Sequence, residues 1–473
     1  MLIKKAVLEG ARKDVRCSGE FISAIADELE PRVGERVIQA SGGELLPGLY
    51  DHHMHFFATA ALQRSVDCGV NNAPSATGEH SSASHNAEWL SHLLANYSGE
   101  GWLRGVNYHE SLAGDLDRWQ LDMLVNDRPA RIQHRSGKLW VLNSLAVEKL
   151  DLAAHKDLPG IELNATGVPT GRLFRLDAWL RQQLDQQDPI DVSVLSRQMA
   201  SFGITGFSDT SATNTAATVS QFQQMHERGE ILQNASLMGD DSLECGHLKI
   251  LLDEDNLPPL NELEARIRRA RKKKRGIAFH CVTHIELLFA IAALNSCADL
   301  DPQIQFADRI EHGAVIFDDV LPMLRALNLS VITQTGFLYE RGPQYQQNLT
   351  GHELAHLYRY QTLLDAGIRV GLSSDAPYGP LNPWQVMHAA IERKTRAGDV
   401  IGRQECVSPE QALAGYLSNA NAPGGVLRKI AVGERADMCL LTRPWSDIKN
   451  DLSAVLVGHT VVAGEVIYSR IEA

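Results

Sequence analysis

Two histidines one residue apart, His53 and His55, stand in the run Pro47-Gly48-Leu49-Tyr50-Asp51-His52-His53-Met54-His55-Phe56-Phe57. On a β-strand, side chains at i and i+2 project to the same face, so His53 and His55 share one face and His52 and Met54 the other. Two neutral imidazoles at that spacing can hold one metal ion from a single strand. Asp51 falls on the same face one step deeper, where it can orient a ligand or close the floor. Alone, a His-x-His pair is more often two ordinary core or surface histidines. Segments further along the chain give this pair its weight.

Five later segments read as strands that end on polar residues. They are Leu248-Lys249-Ile250-Leu251-Leu252, Gly276-Ile277-Ala278-Phe279-His280, Arg309-Ile310-Glu311-His312, Leu329-Ser330-Val331-Ile332-Thr333 and Arg369-Val370-Gly371-Leu372-Ser373-Ser374-Asp375. Gly203-Ile204-Thr205-Gly206-Phe207-Ser208-Asp209 is an earlier one. Helical stretches are expected between them, at 286–294, 318–327 and 353–366. From Lys249 to His280 is 31 residues, from His280 to His312 is 32, and from His312 to Asp375 is 63. A strand-helix-strand unit takes roughly 30 residues, so these steps are one unit, one unit and two. Alternation on that beat indicates a parallel sheet. Polar residues at C-terminal strand ends are where a (β/α)8 barrel builds its site. The fold expected is α/β, a (β/α)8 barrel with Lys249, His280, His312 and Asp375 on strands four, five, six and eight.

From His55 to Lys249 is 194 residues, about a hundred more than three barrel units need. The surplus reads as an insertion over about 70–195 that leaves the catalytic end of the first strand and covers the active site. Residues 1–47 and 427–473 are short β-like runs with turns, neither able to bury a core alone. They are expected to build one small composite β-sandwich beside a barrel of residues 48–426. Within the barrel, positions 266–275 hold eight Lys or Arg in ten. This run closes a helix beginning near Leu260, with Glu262 and Glu264 at its start and Gly276 just beyond. A helix dipole and C-cap favour that order of charges, so the run is read as structural and not as an anion site.

The net charge of −13, from 45 Lys and Arg against 58 Asp and Glu, argues against general nucleic-acid binding. A hydrophobic share of 44% and a charged share of 22% are ordinary for a soluble globular protein. Seven cysteines, at 17, 68, 245, 281, 297, 406 and 439, include no Cys-x-x-Cys pair and read as reduced thiols of a cytoplasmic protein. Charges within the first ten residues speak against a signal peptide, and no apolar run reaches the length of a membrane span.

Taken together, Asp51-x-His53-x-His55 after Pro47-Gly48, Leu248-Lys249-Ile250, His280-Cys281-Val282-Thr283, Arg309-Ile310-Glu311-His312-Gly313, Ser374-Asp375-Ala376-Pro377 and Gly433-Glu434-Arg435-Ala436-Asp437 carry a family likeness. The chain resembles the amidohydrolase superfamily of metal-dependent hydrolases, in the branch called amidohydrolase family 3, over nearly its whole length. The resemblance implies a divalent metal centre of one or two ions, with zinc the first expectation. His53 and His55 would bind the more buried ion with Asp375 completing it, and His280 and His312 would face the second position. Lys249 matches the place where many relatives carry a carboxylated lysine bridging two ions. Carboxylation matters because a free ammonium is a poor ligand, whereas a carbamate offers anionic oxygens. Two departures fall in the insertion: many relatives have Gly-His at Gly137-Lys138 and Glu at Arg175. If Lys138 and Arg175 touch substrate, the pocket is more basic and favours a carboxylate-bearing substrate. Arg341, within Tyr339-Glu340-Arg341, and Tyr378 are further substrate-binding candidates, and Trp384 a candidate for the pocket wall.

The implied reaction is hydrolysis of a C–N bond, an amide or N-acyl group of a small molecule, by metal-activated water. The metal lowers the pKa of that water from about 15.7 to roughly 7. Asp375 would pass the water's proton to the leaving nitrogen, and His312 or the second metal would polarise the carbonyl. Cys281 points away from the face of His280 and reads as a packed thiol. Two alternatives stand beside this reading. One is a single-metal deaminase on the same barrel, recognisable by one ion and an unmodified Lys249; the other is a non-catalytic scaffold. The expected partner is a small-molecule substrate, with no nucleic acid and no membrane; a homo-oligomer stays open.

Overall fold

The computed structural model describes residues 1–69, 83–99, 101–184, 190–298 and 304–470. It has two compact units, Met1–Phe56 with Val192–Ala473, and Phe57–Asp191. Eight parallel strands dominate the first unit. β1 (Leu49–Met54), β2 (Ile204–Asp209) and β3 (Asn234–Leu237) form one sheet in the order β3-β2-β1. β4 (Leu248–Leu251), β5 (Ile277–Cys281), β6 (Arg309–His312), β7 (Ser330–Thr333) and β8 (Arg369–Leu372) form a second, in chain order. A parallel bridge between Gly239 and Leu248 lies between β3 and β4. Past the end of β8, the Asp375 N–H donates to the carbonyl of His53 in β1 at 2.8 Å. This is a mixed α/β fold consistent with a TIM-barrel-type domain.

β1, β2, β6 and β7 are buried along their whole length, as parallel strands covered on both faces must be. A polar side chain on such a strand therefore needs a partner inside the protein. Helices fall between the strands, including Ala216–Glu227, Leu260–Lys272, His284–Asn295 and Leu321–Ala326. In the same unit, the strands Leu2–Leu8, Ala11–Ser18, Phe21–Ala26 and Val37–Gln39 make one four-stranded sheet. Leu45–Pro47, Met438–Leu441, Val457–Val462 and Glu465–Ser469 make another. Ile3, Val15 and Ile22 from the first share a core with Leu45, Met438 and Val461 from the second.

Two local expectations need correction. The helix Leu260–Lys272 does begin with Glu262 and end with Arg269, Arg271 and Lys272, but it is Lys274, at φ +56°, that turns left-handed after it. Gly276 serves close approach instead, since a Cβ there would lie 2.3 Å from the Phe306 carbonyl oxygen. Arg275, 1% exposed, donates to the carbonyls of Gly239, Asp240, Leu243, Gly246 and His247. Arg275→Met removes five hydrogen bonds, and with them the donor to the Gly246 carbonyl, and is expected to cost about 3 kcal/mol, read as a lower urea midpoint. An unchanged midpoint would show that water replaces the guanidinium.

The helix expected over 353–366 is two helices, Gly351–Ala355 and Tyr360–Asp365. Buried Arg393 donates to the carbonyls of Leu357 and Tyr358 at 2.8 Å each, and the Tyr358 N–H is given to Ala314. Those tertiary bonds hold Tyr358 at φ +46°, outside helical geometry. A further helix, Gly336–Asn348, follows β7 and carries Tyr339, Glu340 and Arg341.

The second unit holds a six-stranded sheet, in spatial order Ile161–Leu163, Pro169–Phe174, Leu139–Leu142, Ala130–His134, Leu103–Tyr108 and Ser65–Asp67. Helices such as Arg118–Leu124 and Ser144–Lys149 accompany it. No described helix is long and apolar enough to cross a membrane.

Candidate metal centre

Within the first unit, the ends of β1, β5 and β6 and the residues just past β8 bring four histidines and an aspartate together. His53 Nε2 lies 3.3 Å from Asp375 Oδ1, and His55 Nε2 lies 3.4 Å from the same oxygen. The ring of His312 is centred 4.8 Å from that of His53 and 4.5 Å from that of His280. One ligand atom from each of His53, His312 and Asp375 lies within 4.8 Å of the others, and all three residues are buried. On the far face of β1, His52 Nε2 bonds the Ser418 hydroxyl at 3.0 Å. Asp51 Oδ1 accepts the His53 and Ser374 N–H groups at 3.2 and 3.1 Å, tying β1 to the segment after β8.

Strand alternation alone does not let the neighbours Glu311 and His312 both face the site. Backbone geometry resolves this. His312 sits at φ +69° and Asp375 at φ +49°, left-handed conformations that strain a non-glycine residue and gather at functional sites. The turn at His312 points its ring toward His280 and Asp375, while Glu311 keeps the inward face and reaches His53.

Three of the four imidazoles, those of His53, His312 and His55, are oriented through Nδ1. Glu311, fully buried, holds Oε2 2.5 Å from His53 Nδ1 and Oε1 2.5 Å from Arg309 Nε. Gln334 places Oε1 2.9 Å from His312 Nδ1 and spends its amide N–H groups on the Ile332 carbonyl and Ser373 Oγ. That leaves Oε1 to accept, so His312 carries its proton on Nδ1. Ser211 Oγ is 3.1 Å from His55 Nδ1. Partners of this kind set the tautomer and aim of a metal-ligating imidazole.

The charges are tightly coupled. Burial opposes ionisation of Asp375, but His53, His55 and His312 outweigh it and hold the carboxyl well below the usual carboxylate range. Burial opposes Glu311 too, and Arg309, Lys249 and His53 outweigh it in the same direction. Burial and Lys249 work against charge on His53, yet Glu311 and Asp375 raise its pKa. Burial, then Lys249 and His53, push His280 down to about 4. Burial brings Lys249 down to about 8 and pushes Asp51 up to about 6.

His53 Nε2, Asp375 Oδ1 and Lys249 Nζ are buried without a hydrogen-bond partner among the described residues. Each such atom costs about 1–3 kcal/mol, more when charged. Imidazole nitrogens facing a carboxylate oxygen are the donors a divalent cation takes, so the residues present fit the group.

The family model described as amidohydrolase family matches residues 36–468. The chain belongs to the amidohydrolase family. Membership makes it a hydrolase of carbon–nitrogen bonds other than peptide bonds and implies a divalent metal. An N-substituted formamide deformylase of Arthrobacter pascens is 25% identical over 526 residues, 96% of this chain and 95% of that protein. A metal-dependent hydrolase from Pyrococcus furiosus has the same fold at TM-score 0.69 and 19% identity, covering 93% of this chain and 98% of its own. A 5-methylcytosine deaminase from Klebsiella pneumoniae gives TM-score 0.54 at 12% identity, covering 100% of this chain and 98% of its own.

In this amidohydrolase, Lys249 is the second residue of β4, not its end, and pairs with Ala278. Tyr378 sets its ring edge-on to His55, with centroids 5.6 Å apart, and its carbonyl accepts from Arg341 Nη2 at 3.0 Å. Trp384 is no pocket wall: it is 3% exposed, and its indole N–H is given to the Phe202 carbonyl at 3.1 Å. Lys138 and Arg175 belong to the second unit, where the Arg175 N–H donates to the Lys138 carbonyl at 2.9 Å.

Motif spacing assigned no role to Glu311, Arg309 or Gln334. Arg309 and Glu311 did carry a signal, an i, i+2 ion pair inside a strand with no water to solvate it. Gln334 carried none, because its role depends on β7 lying beside β6. Glu311→Gln is expected to weaken metal binding about 10–100-fold, measured by chelator competition. Affinity equal to wild type would remove Glu311 from the orientation of His53.

Proposed function

We propose that this amidohydrolase cleaves an amide or N-acyl bond of a small molecule with water at a divalent metal centre. His53, His55, His312 and Asp375 would hold the ion, with His280 and Lys249 toward a second position. The eight parallel strands are read as a closed (β/α)8 barrel, with these side chains at or near the C-terminal strand ends. The observation that carries the reading is the meeting of His53, His312 and Asp375 together with the unpartnered atoms His53 Nε2 and Asp375 Oδ1.

When bound there, a divalent cation lowers the pKa of water toward neutrality and polarises a carbonyl. The rest falls to the chain's own residues. Asp375, held ionised beside His53 and His55, takes the proton of the attacking water at a carboxylate oxygen and delivers it to the leaving nitrogen. His312, held at Nδ1 by Gln334, would present a ring nitrogen to the centre. Glu311 and Arg309 keep His53 in the ligating tautomer. Nitrogen and oxygen donors of this kind suit zinc, manganese, iron or nickel.

A one-ion centre is the second reading, favoured by the single group of three ligands among the described residues; Lys249 then stays an amine. In the two-ion reading the buried Lys249 nitrogen would carry a carbamate, formed by its neutral amine adding to carbon dioxide with loss of a proton. Metal content per chain, with intact mass taken gently enough to keep a carbamate, separates the two. Two equivalents with a carbamate support the bridged centre, and one equivalent with plain Lys249 directs screening to deamination. The formamide deformylase among the relatives makes N-formyl amines the first substrates to assay. Turnover that survives complete metal removal overturns the proposal.

A further inference from the structure

We propose that Arg341 anchors a carboxylate on the substrate, so that the preferred substrate class is an N-acyl amine bearing a carboxylate. This rests on the hydrolase reading above and narrows it.

Arg341 lies on the helix Gly336–Asn348, which begins just after β7. Its guanidinium carbon sits 4.2 Å from the centre of the Phe337 ring, and Nη2 donates to the Tyr378 carbonyl at 3.0 Å. Tyr378 in turn packs its ring against His55, so one residue separates this cation from a candidate metal ligand. One helical turn on, Tyr345 feels the charges of both Arg341 and Asp375 and shares a 3.0 Å hydroxyl bond with Tyr358.

The nearby acids are already committed. Glu340 pairs with Arg396 at 2.8 Å, and Asp375 faces His53 and His55. Among the described residues, no carboxylate forms an ion pair with Arg341. A guanidinium presents five N–H donors in a planar fork, and the Tyr378 carbonyl and the nearby Tyr345 hydroxyl use only part of it. Stacking on Phe337 fixes the plane of the fork, and a carboxylate is the group that matches it with two parallel bonds. An anion held there would leave the rest of a small molecule at the histidines. Because the anchor acts alike in ground and transition states, its loss belongs in KM.

The test uses metal-loaded enzyme and N-(methylsulfonyl)phenylalanine beside its neutral carboxamide, sulfonamides that an amide hydrolase does not cleave. Calorimetry on wild type should show the acid binding about 10–100-fold tighter than the amide. Arg341→Met should erase that preference, and Arg341→Lys should keep part of it. Equal binding of both probes to wild type, failure of both to bind, or a preference that survives in Arg341→Met overturns the proposal. If Arg341→Met fails to fold, wild-type discrimination and Arg341→Lys still decide. The same enzymes are then assayed on N-formylphenylalanine and N-formylphenylalaninamide. Discrimination between the sulfonamides without hydrolysis of either formamide would sink the N-acyl hydrolase reading and leave the anchor standing. Hydrolysis of both at equal kcat/KM would do the reverse.

Discussion

His53→Ala is expected to purify without metal and to turn over no substrate. The imidazole is 1% exposed and contributes one of three ligand atoms that meet within 4.8 Å. Its removal also takes from fully buried Glu311 the imidazole 2.5 Å from Oε2, leaving Arg309 as its remaining partner. A lost hydrogen bond to a buried charge costs about 1–3 kcal/mol, so the variant should also unfold at lower temperature. Wild type should gain thermal stability from added metal in proportion to ligand excess over Kd, and His53→Ala should gain none. Chelated wild type should match the variant in activity and recover when metal is restored. Full hydrolysis by metal-free protein would end the metal mechanism.

Asp375→Asn should fold, load metal on reconstitution and still lose kcat by about 10²–10⁴-fold. The substitution keeps shape and keeps the backbone N–H that donates to the His53 carbonyl. It removes the carboxylate oxygen that lies 3.3 and 3.4 Å from His53 and His55, and with it the group able to accept the water's proton. Metal content measured on the same sample separates a missing proton carrier from a missing ion. Unchanged kcat in fully loaded protein would place the proton carrier elsewhere.

The pairing of His53 with His55 on one face of a strand was legible because the two-residue period of β-structure is a local property. The order of the strands was legible for a related reason. A strand, a helix and their turns occupy a nearly constant length of chain, so steps of 31, 32 and 63 residues placed His280 and His312 on their strands without any knowledge of contacts; Asp375, expected on strand eight, lies three residues past the end of β8. The role of the basic run before Gly276 was also visible, since charge at a helix end acts within a turn.

What the sequence could not settle was direction. His53 is oriented by a carboxylate 258 residues away, and His312 by an amide just past the end of the next strand. The left-handed backbone at His312 and Asp375 overrides the alternation that local period dictates. The helix expected over 353–366 breaks where Arg393 claims the carbonyls of Leu357 and Tyr358, and the indole of Trp384 turns to the Phe202 carbonyl. Residue types and spacing therefore picked out the histidines and the aspartate that meet at the site, but not Glu311, Arg309 or Gln334 behind them. Partners distant in sequence but adjacent in space decided where each one points, because a hydrogen bond is set by atomic position and not by distance along the chain.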